Sequence, residues 1–436
     1  MADPTNTDAS GQAGRLLLGV YRGLSALAAP FVPALLQRRA RAGREDAARL
    51  GERQGEAALE RPRGPVVWVH AASVGESLSI LPLVGRIRAE RPGTFVLVTT
   101  GTPASAALIA QRLPAGAAHQ YVPVDLPGAV HRFLAHWTPS LALWVESEIW
   151  PNLLTEARKR GVPVVIVNGR MSPRSFRRWM RLRPLAQLLL GSVARVFAQS
   201  ADDAERFRAL GARRVDALAN LKAGAELLPV AAAALTDTQR RIGARPCWVA
   251  ASTHDGEEIE AIRVHVQLRT RYPGLLTIIA PRHAARGIVV EQLARGVGLD
   301  TALRSAGQTI GPATECYIAD TMGELGLWYR LCPVAFLGGS LVPHGGHNPL
   351  EAARLGCAVL VGPHTGNFET LTRELEQRGA LRRVGVAGEL AGAVAAELGG
   401  ARRPQVAAGA EALAAAGAAA AEAVLAEVAI HLPSGV

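Results

Sequence analysis

The sequence predicts an α/β protein made of two doubly wound, Rossmann-like domains behind an N-terminal membrane-anchor helix. Three observations carry this. From Val66 onward, short β-rich runs alternate with helix-like segments. Most of those runs are almost continuously apolar, as strands buried on both faces of a parallel sheet must be. The runs also fall into two series, parted by an alanine-rich stretch without strand signal.

The first series is VVWVH (66–70), FVLVTT (95–100), YVPVD (121–125), LALWVES (141–147), VVIVNGR (164–170) and VARVFAQS (193–200). The second is CWVAAS (247–252), LLTIIAP (275–281), TECYIAD (314–320), VAFLGGS (334–340) and AVLVGP (358–363). Each series implies its own doubly wound sheet, with a ligand crevice at the carboxyl ends of the strands. The expected division is an anchor and basic flank over 1–45, a first domain over 46–225, a link over 226–245 and a second domain over 246–436. Residues 406–429, mostly Ala with spaced Glu and Leu, are expected to be a packed helix.

A chain of 436 residues with 49% hydrophobic and 19% charged residues has the material for two cores and is not disordered. Its four cysteines, Cys247, Cys316, Cys332 and Cys357, form no C-x-x-C pair, and buried thiols fit better than a disulfide framework. The net charge of +11 favours anionic partners. It is concentrated: Arg38, Arg39, Arg41 and Arg44 form one cluster, and Arg170, Arg174, Arg177, Arg178, Arg181 and Arg183 form another around Phe176 and Trp179.

Leu16 to Leu36 is mostly apolar, interrupted by Arg22 and by Pro30 and Pro33 near its end. A spanning helix needs about 20 apolar residues, so the segment reads as an uncleaved anchor or an interfacial helix. The arginines from Arg38 onward place the rest of the chain on the cytoplasmic side. A buried core helix is the alternative.

Polar residues gather where strands end. His70 to Ser77 (HAASVGES) puts Glu76 in the first turn of a helix, where exposed N–H groups and the macrodipole favour an ionised carboxylate. Such a group can act as general base on a hydroxyl nucleophile. The same spacing, taken alone, is a capping box of Ser73 and Glu76. Glu146 to Asn152 (ESEIWPN) offers two carboxylates at i and i+2 for a metal or a substrate hydroxyl. The chain has no Asp-x-Asp motif, which favours a site without metal. Asn168 to Arg183 is basic and aromatic, suited to phosphates at a lipid surface or simply a solvated face.

The second half adds ASTHDGEE (251–258), PRH (281–283), ADTMGEL (319–325) and GGSLVPHGGHNPLEAA (338–353). Backbone N–H groups of Met322, Gly323 and Glu324 could cradle a phosphate. Asn348 and Glu351 share one face of a helix start, where Glu351 suits ribose hydroxyls. Any single motif is explained by a turn; seven such clusters at successive strand ends are not.

Read together and in this order, HAASVGES, ESEIWPNL, NGRMS, NLK, ASTHDGEE, PRH, DTMGEL and GGSLVPHGGHNPLEAA resemble the motif series of the Kdo (3-deoxy-D-manno-octulosonic acid) transferases. The resemblance runs from the N-terminal segment, including RLGERQG at Arg49–Gly55, to Glu369. It implies a GT-B type fold, two Rossmann-like domains facing across a cleft, and an inverting transferase needing no cofactor or metal. The implied donor is CMP-Kdo, bound by the second domain; the implied acceptor is a lipid A precursor, bound by the first. The implied location is the cytoplasmic face of the inner membrane, in lipopolysaccharide biosynthesis. By motif position Glu76 matches the family's general base, and Glu146 and Lys222 match residues assisting the transition state. Pro281, Arg282, Met322, Gly323, Glu324, Asn348, Pro349, Leu350 and Glu351 match the CMP-binding segments. Ala219 and Ala223 around NLK, Ala319 and Met171 depart mildly from the pattern.

Two rivals belong to other classes. One is another two-Rossmann enzyme, a UDP-sugar transferase or sugar-nucleotide epimerase. The other is a basic membrane-surface or nucleic-acid binding protein, against which stands the lack of a recognisable nucleic-acid module.

Overall fold

The computed structural model describes residues 4–224, 227–385 and 387–432. The chain forms two compact units, Met1–Ala225 with Ala416–Val436, and Glu226–Ala415. Each holds one parallel seven-stranded sheet.

In the first unit the strands are β1 (Val66–His70), β2 (Phe95–Thr100), β3 (Ala117–Tyr121), β4 (Leu141–Val145), β5 (Val164–Gly169), β6 (Arg195–Ala198) and β7 (Val215–Ala217). Their order is β3-β2-β1-β4-β5-β6-β7. The chain thus winds outward from β1 in one direction and from β4 in the other. This puts a topological switch point between those two strands, where crevices of this architecture lie. Helices cover both faces, so the central strands are buried throughout. On one face Trp68 packs edge-on against Trp144 (ring centroids 4.9 Å) and beside Phe133. The Trp68 indole N–H donates to Thr99 at 2.8 Å, so the one polar atom of that ring is satisfied inside the core.

The second unit contains β8 (Cys247–Thr253), β9 (Leu276–Pro281), β10 (Thr301–Leu303), β11 (Cys316–Ile318), β12 (Val334–Leu337), β13 (Ala358–Val361) and β14 (Leu381–Arg383), in the order β10-β11-β9-β8-β12-β13-β14. Its switch point lies between β8 and β12. Trp248 donates to Thr277 at 2.8 Å, the same device as Trp68 and Thr99 in the first sheet. All four cysteines are buried and free, as expected.

The differences from expectation lie at the sheet edges. The run read at 121–125 is not the strand; β3 occupies Ala117–Tyr121. Beyond Tyr121, Pro123 has no N–H to donate to a ladder, and the Val124 N–H turns to the Arg53 carbonyl instead. The short edge strands β7, β10 and β14 carry too little apolar pattern to be read. The stretch expected as a link, 226–245, contains the helix Ala232–Ile242.

The expected second domain also ran too far. Helix Arg403–His431 begins in the second unit, but from Ala416 it belongs to the first. There Val424, Leu425 and Val428 join the core under β1 and β2. Glu427, 1% exposed, is paired with Arg195 at 2.8 Å.

At the N-terminus, helix Pro4–Ala28 continues through a 3-10 turn, Ala29–Phe31, into helix Val32–Arg41. The break falls at Pro30 and Pro33, where the ring removes a donor and crowds the preceding turn. Six large apolar side chains along this segment are exposed, so it is not a buried core helix.

Candidate active site at the strand ends

In the first unit, β1 stops at His70 and a turn of small residues leads into helix Val74–Glu90. Ser73 is its N-cap, with extended backbone and an Oγ that accepts from the Glu76 N–H at 3.3 Å. The Glu76 carboxylate reaches back over the turn. Its Oε1 accepts from the Ser73 hydroxyl at 2.8 Å, and its Oε2 accepts from the Ala72 N–H at 2.8 Å. The capping alternative is therefore realised, with the return bond made one residue before the cap.

Glu76 is only 8% exposed. Burial raises its carboxyl to about 7, and the charge of Glu146 adds to that; the bonds from Ser73 and Ala72 oppose the rise without cancelling it. This corrects the expectation that the helix start would favour the ionised form. Two donors and a macrodipole do not outweigh desolvation beside a second carboxylate.

Glu146 directly follows β4, across the switch point from Glu76. Its φ of +61° is left-handed, a strained conformation for a residue with a side chain. Asn168 at the end of β5 (φ +54°) and Ser252 in β8 (φ +54°) share it, so three strand ends hold strained backbone. Glu148 lies close by, its carboxyl raised by burial while the Trp150 indole donates to it at 2.8 Å. Asn168 Oδ1 accepts from the Leu221 N–H at 3.0 Å, tying the 3-10 turn Leu221–Gly224 to the end of β5. Lys222 lies on that turn, and its side chain falls outside the described residues.

In the second unit the expected residues sit beyond the carboxyl ends of neighbouring strands. Pro281 closes β9 and is buried; Arg282 follows it, exposed, with its N–H bonded to the Thr253 carbonyl. Met322 and Gly323 lie between β11 and helix Leu325–Leu331, with Met322 65% exposed and Gly323 at φ +83°. Glu324 is the N-cap, and its carboxylate is held below its usual range by a two-pronged bond to Arg304. After β12, Asn348 caps helix Pro349–Ala353 by accepting from the Leu350 N–H at 3.1 Å. Its amide donates to Glu351 at 3.2 Å, and burial raises the Glu351 carboxyl. Pro349 and Leu350 are packed side chains.

Sequence reasoning missed the residue that organises this unit's switch point. Glu257, 1% exposed, opens the helix after β8 and accepts four backbone N–H groups. Oε2 takes those of His254 (2.9 Å) and Gly339 (2.6 Å); Oε1 takes those of Ser340 (3.1 Å) and Leu341 (3.0 Å). The loop after β12 is thereby fixed to the loop after β8. Gly338 makes the approach possible, since a Cβ there would lie 2.4 Å from the Ser252 carbonyl oxygen. The signal in sequence was a His-x-x-Glu spacing directly after a buried strand.

Four histidines surround this junction. His254 Nε2 lies 3.2 Å from His347 Nε2, and the His254 ring stacks on His344 at 4.3 Å with His283 edge-on at 6.0 Å. Burial lowers His347 to about 4, so that imidazole is neutral near pH 7.

Two doubly wound parallel sheets, each with polar residues gathered at its switch point, place the chain in the two-Rossmann, GT-B-like fold class. Solved structures agree on the fold. A UDP-N-acetylglucosamine 2-epimerase matches with a TM-score of 0.51 at 11% identity, covering 86% of this chain and 100% of the other. Anabaena HepE in complex with UDP and glucose matches with a TM-score of 0.50 at 16% identity, covering 84% and 100%.

Sequence comparison narrows the class. The profile of the family described as 3-Deoxy-D-manno-octulosonic-acid transferase (kdotransferase) matches residues 48–225. The 3-deoxy-D-manno-octulosonic acid transferase of Bordetella pertussis is 36% identical over 388 residues, covering 84% of this chain and 87% of its own. That of Haemophilus influenzae is 35% identical over 358 residues, covering 79% and 82%. This chain belongs to the 3-deoxy-D-manno-octulosonic acid transferase family and is a glycosyltransferase.

Proposed function

We propose that the chain transfers Kdo from CMP-Kdo to a lipid A precursor, with inversion and without metal, and that Glu76 is the general base. The observation that carries this reading is the Glu76 carboxyl, buried at the switch point beside Glu146 and raised to about 7. A base is most effective when its pKa lies near the working pH.

In this reading a sugar hydroxyl of the acceptor gives its proton to Glu76 as its oxygen attacks the anomeric carbon of Kdo. A new C–O bond forms while the bond to the CMP phosphate breaks on the opposite face, so configuration inverts in one displacement. The electron pair leaves on the phosphate. Arg282, Lys222 and the backbone N–H groups of Met322, Gly323 and Glu324 stabilise that charge. Asn348, Pro349, Leu350 and Glu351 hold the nucleotide, with Glu351 accepting from ribose hydroxyls. Glu146 supports the transition state.

The acceptor and the setting follow from charge and apolar surface. Helix Pro173–Arg181 carries Arg174, Arg177, Arg178 and Arg181, all exposed and without an ion pair among the described residues. Unpaired guanidinium groups suit lipid phosphates. With the exposed apolar N-terminal segment they support work at the cytoplasmic face of the inner membrane, and nucleic acid is not a partner in this reading.

The test is Glu76→Ala, assayed for Kdo transfer and separately for CMP binding. A loss of about 10²–10⁴-fold in turnover with CMP binding kept supports the base. Near-parental turnover in the folded variant sinks it.

A further inference from the structure

The N-terminal segment from Gly11 to Arg41 is long and apolar enough to cross a membrane, but its two faces differ. One face is bound to the first unit. Gly14 lies so close to helix Arg183–Leu190 that a Cβ would meet the Pro184 carbonyl oxygen at 2.5 Å. Leu18 enters the core. The Tyr21 hydroxyl donates to Asp125 at 2.9 Å, Arg22 donates to Thr155 at 2.8 Å, and the Asn152 amide donates to Ser25 at 3.3 Å. Asp125 is itself fixed by the N–H groups of Asn152 and Leu153.

The opposite face is a stripe of Leu16, Val20, Leu24, Leu27, Phe31 and Leu35, spaced three or four apart and each more than half exposed. From Leu16 to Gln37 the only charged residue is Arg22, and it faces the protein. Arg15 stands at one end of the stripe and Arg38, Arg41 and Arg44 at the other, none with an ion pair among the described residues.

We propose that this segment lies in the plane of an anionic bilayer's interface and does not span it. The apolar stripe seats among the acyl chains, and the flanking arginines meet phospholipid headgroups. In a spanning helix, Leu18 to Ser25 would sit within the hydrocarbon, yet these residues hold the contacts to the protein. Crossing would pull Arg22 and Tyr21 from Thr155 and Asp125 into hydrocarbon, where a charge is costly. An in-plane helix keeps those bonds and still buries the stripe, as interfacial helices do. Positive charge at both ends, Arg15 at one and Arg38, Arg41 and Arg44 at the other, fits anionic lipid better than a second copy of the chain, whose same ends would repel.

This deepens the membrane-surface reading above, and its test uses neither donor nor acceptor, so it stands apart from sugar transfer. The full chain is reconstituted on vesicles of phosphatidylglycerol and phosphatidylcholine, carrying Gln12→Cys or Gln37→Cys, and an impermeant maleimide is added outside. Background comes from the parental chain, whose cysteines are buried. Equal labelling of both variants without detergent is the expected result. Labelling of Gln12→Cys only after detergent lysis would mean a spanning helix and overturn the proposal. A second measurement uses Leu24→Asp with Leu27→Asp, exposed positions at which folding should hold. Vesicle partitioning should fall by roughly a hundredfold, with an unchanged melting temperature. Unchanged partitioning, or parental dimers that this variant splits into monomers, would assign the stripe elsewhere and overturn it equally.

Discussion

Glu146, at the end of β4, lies near enough to Glu76, on the helix after β1, that its charge helps raise the Glu76 carboxyl to about 7. Burial, reinforced by a second carboxylate on the adjacent strand end, pushes Glu76 into the range where it can exchange protons at neutral pH. A base acts as the carboxylate, so kcat/KM should rise with pH and level off above about 7. Glu146→Gln removes a negative neighbour and lets Glu76 ionise more easily. The acid limb of that variant should move to lower pH, whatever happens to its plateau. A pH–rate profile of both proteins checks this.

Ser73 acts in the opposite sense. Its hydroxyl bond stabilises the ionised Glu76, and its Oγ caps the helix. Ser73→Ala should therefore move the acid limb to higher pH and cost about 1 kcal/mol of stability by urea unfolding. A limb that stays in place would show the bond to be unimportant for Glu76.

Stability should carry the same signature. The Glu76 carboxyl titrates at about 7 in the folded chain against an ordinary 4.5. The folded state thus holds its proton longer than the unfolded chain, and this carboxyl weakens the fold as pH rises from 4.5 to 7. Glu76→Gln removes the penalty. At pH 8 the variant should be more stable than the parent by on the order of 1–3 kcal/mol, less what the altered bonds to Ser73 and Ala72 lose. The gain should vanish near pH 4.5, and thermal melts at the two pH values read it directly.

Glu257 holds two loops together through four N–H groups. Glu257→Ala would strand four N–H groups, two of them fully buried and two part-buried, costing on the order of 3–5 kcal/mol. The glycine loop after β12 should loosen with it, so CMP affinity, measured by calorimetry, should fall alongside the melting temperature. Glu257→Asp, which keeps the charge on a shorter arm, should recover part of both.

Much of this was legible in the chain. The central strands were visible because burial on both faces leaves continuous apolar runs such as VVWVH and LALWV. The edge strands were not, because β7, β10 and β14 are three residues each and half polar. Glu76 was legible as a helix-start carboxylate after a strand, but its proton affinity was not: that depends on burial in the folded unit and on Glu146, seventy residues away. Glu257 was hidden for the same reason, since its four partners come from two loops more than eighty residues apart. The return of helix Arg403–His431 to the first unit is likewise a matter of tertiary packing, which an alanine-rich pattern does not encode.

Transfer of Kdo from CMP-Kdo to a lipid A precursor without metal is the activity we propose for this chain. The most direct measurement incubates the detergent-solubilised chain with both compounds in EDTA and follows the lipid by mass spectrometry. A lipid heavier by one or more Kdo units is the expected product, nearly absent with Glu76→Ala. An unchanged lipid, from protein shown to be folded and to bind CMP, would contradict it.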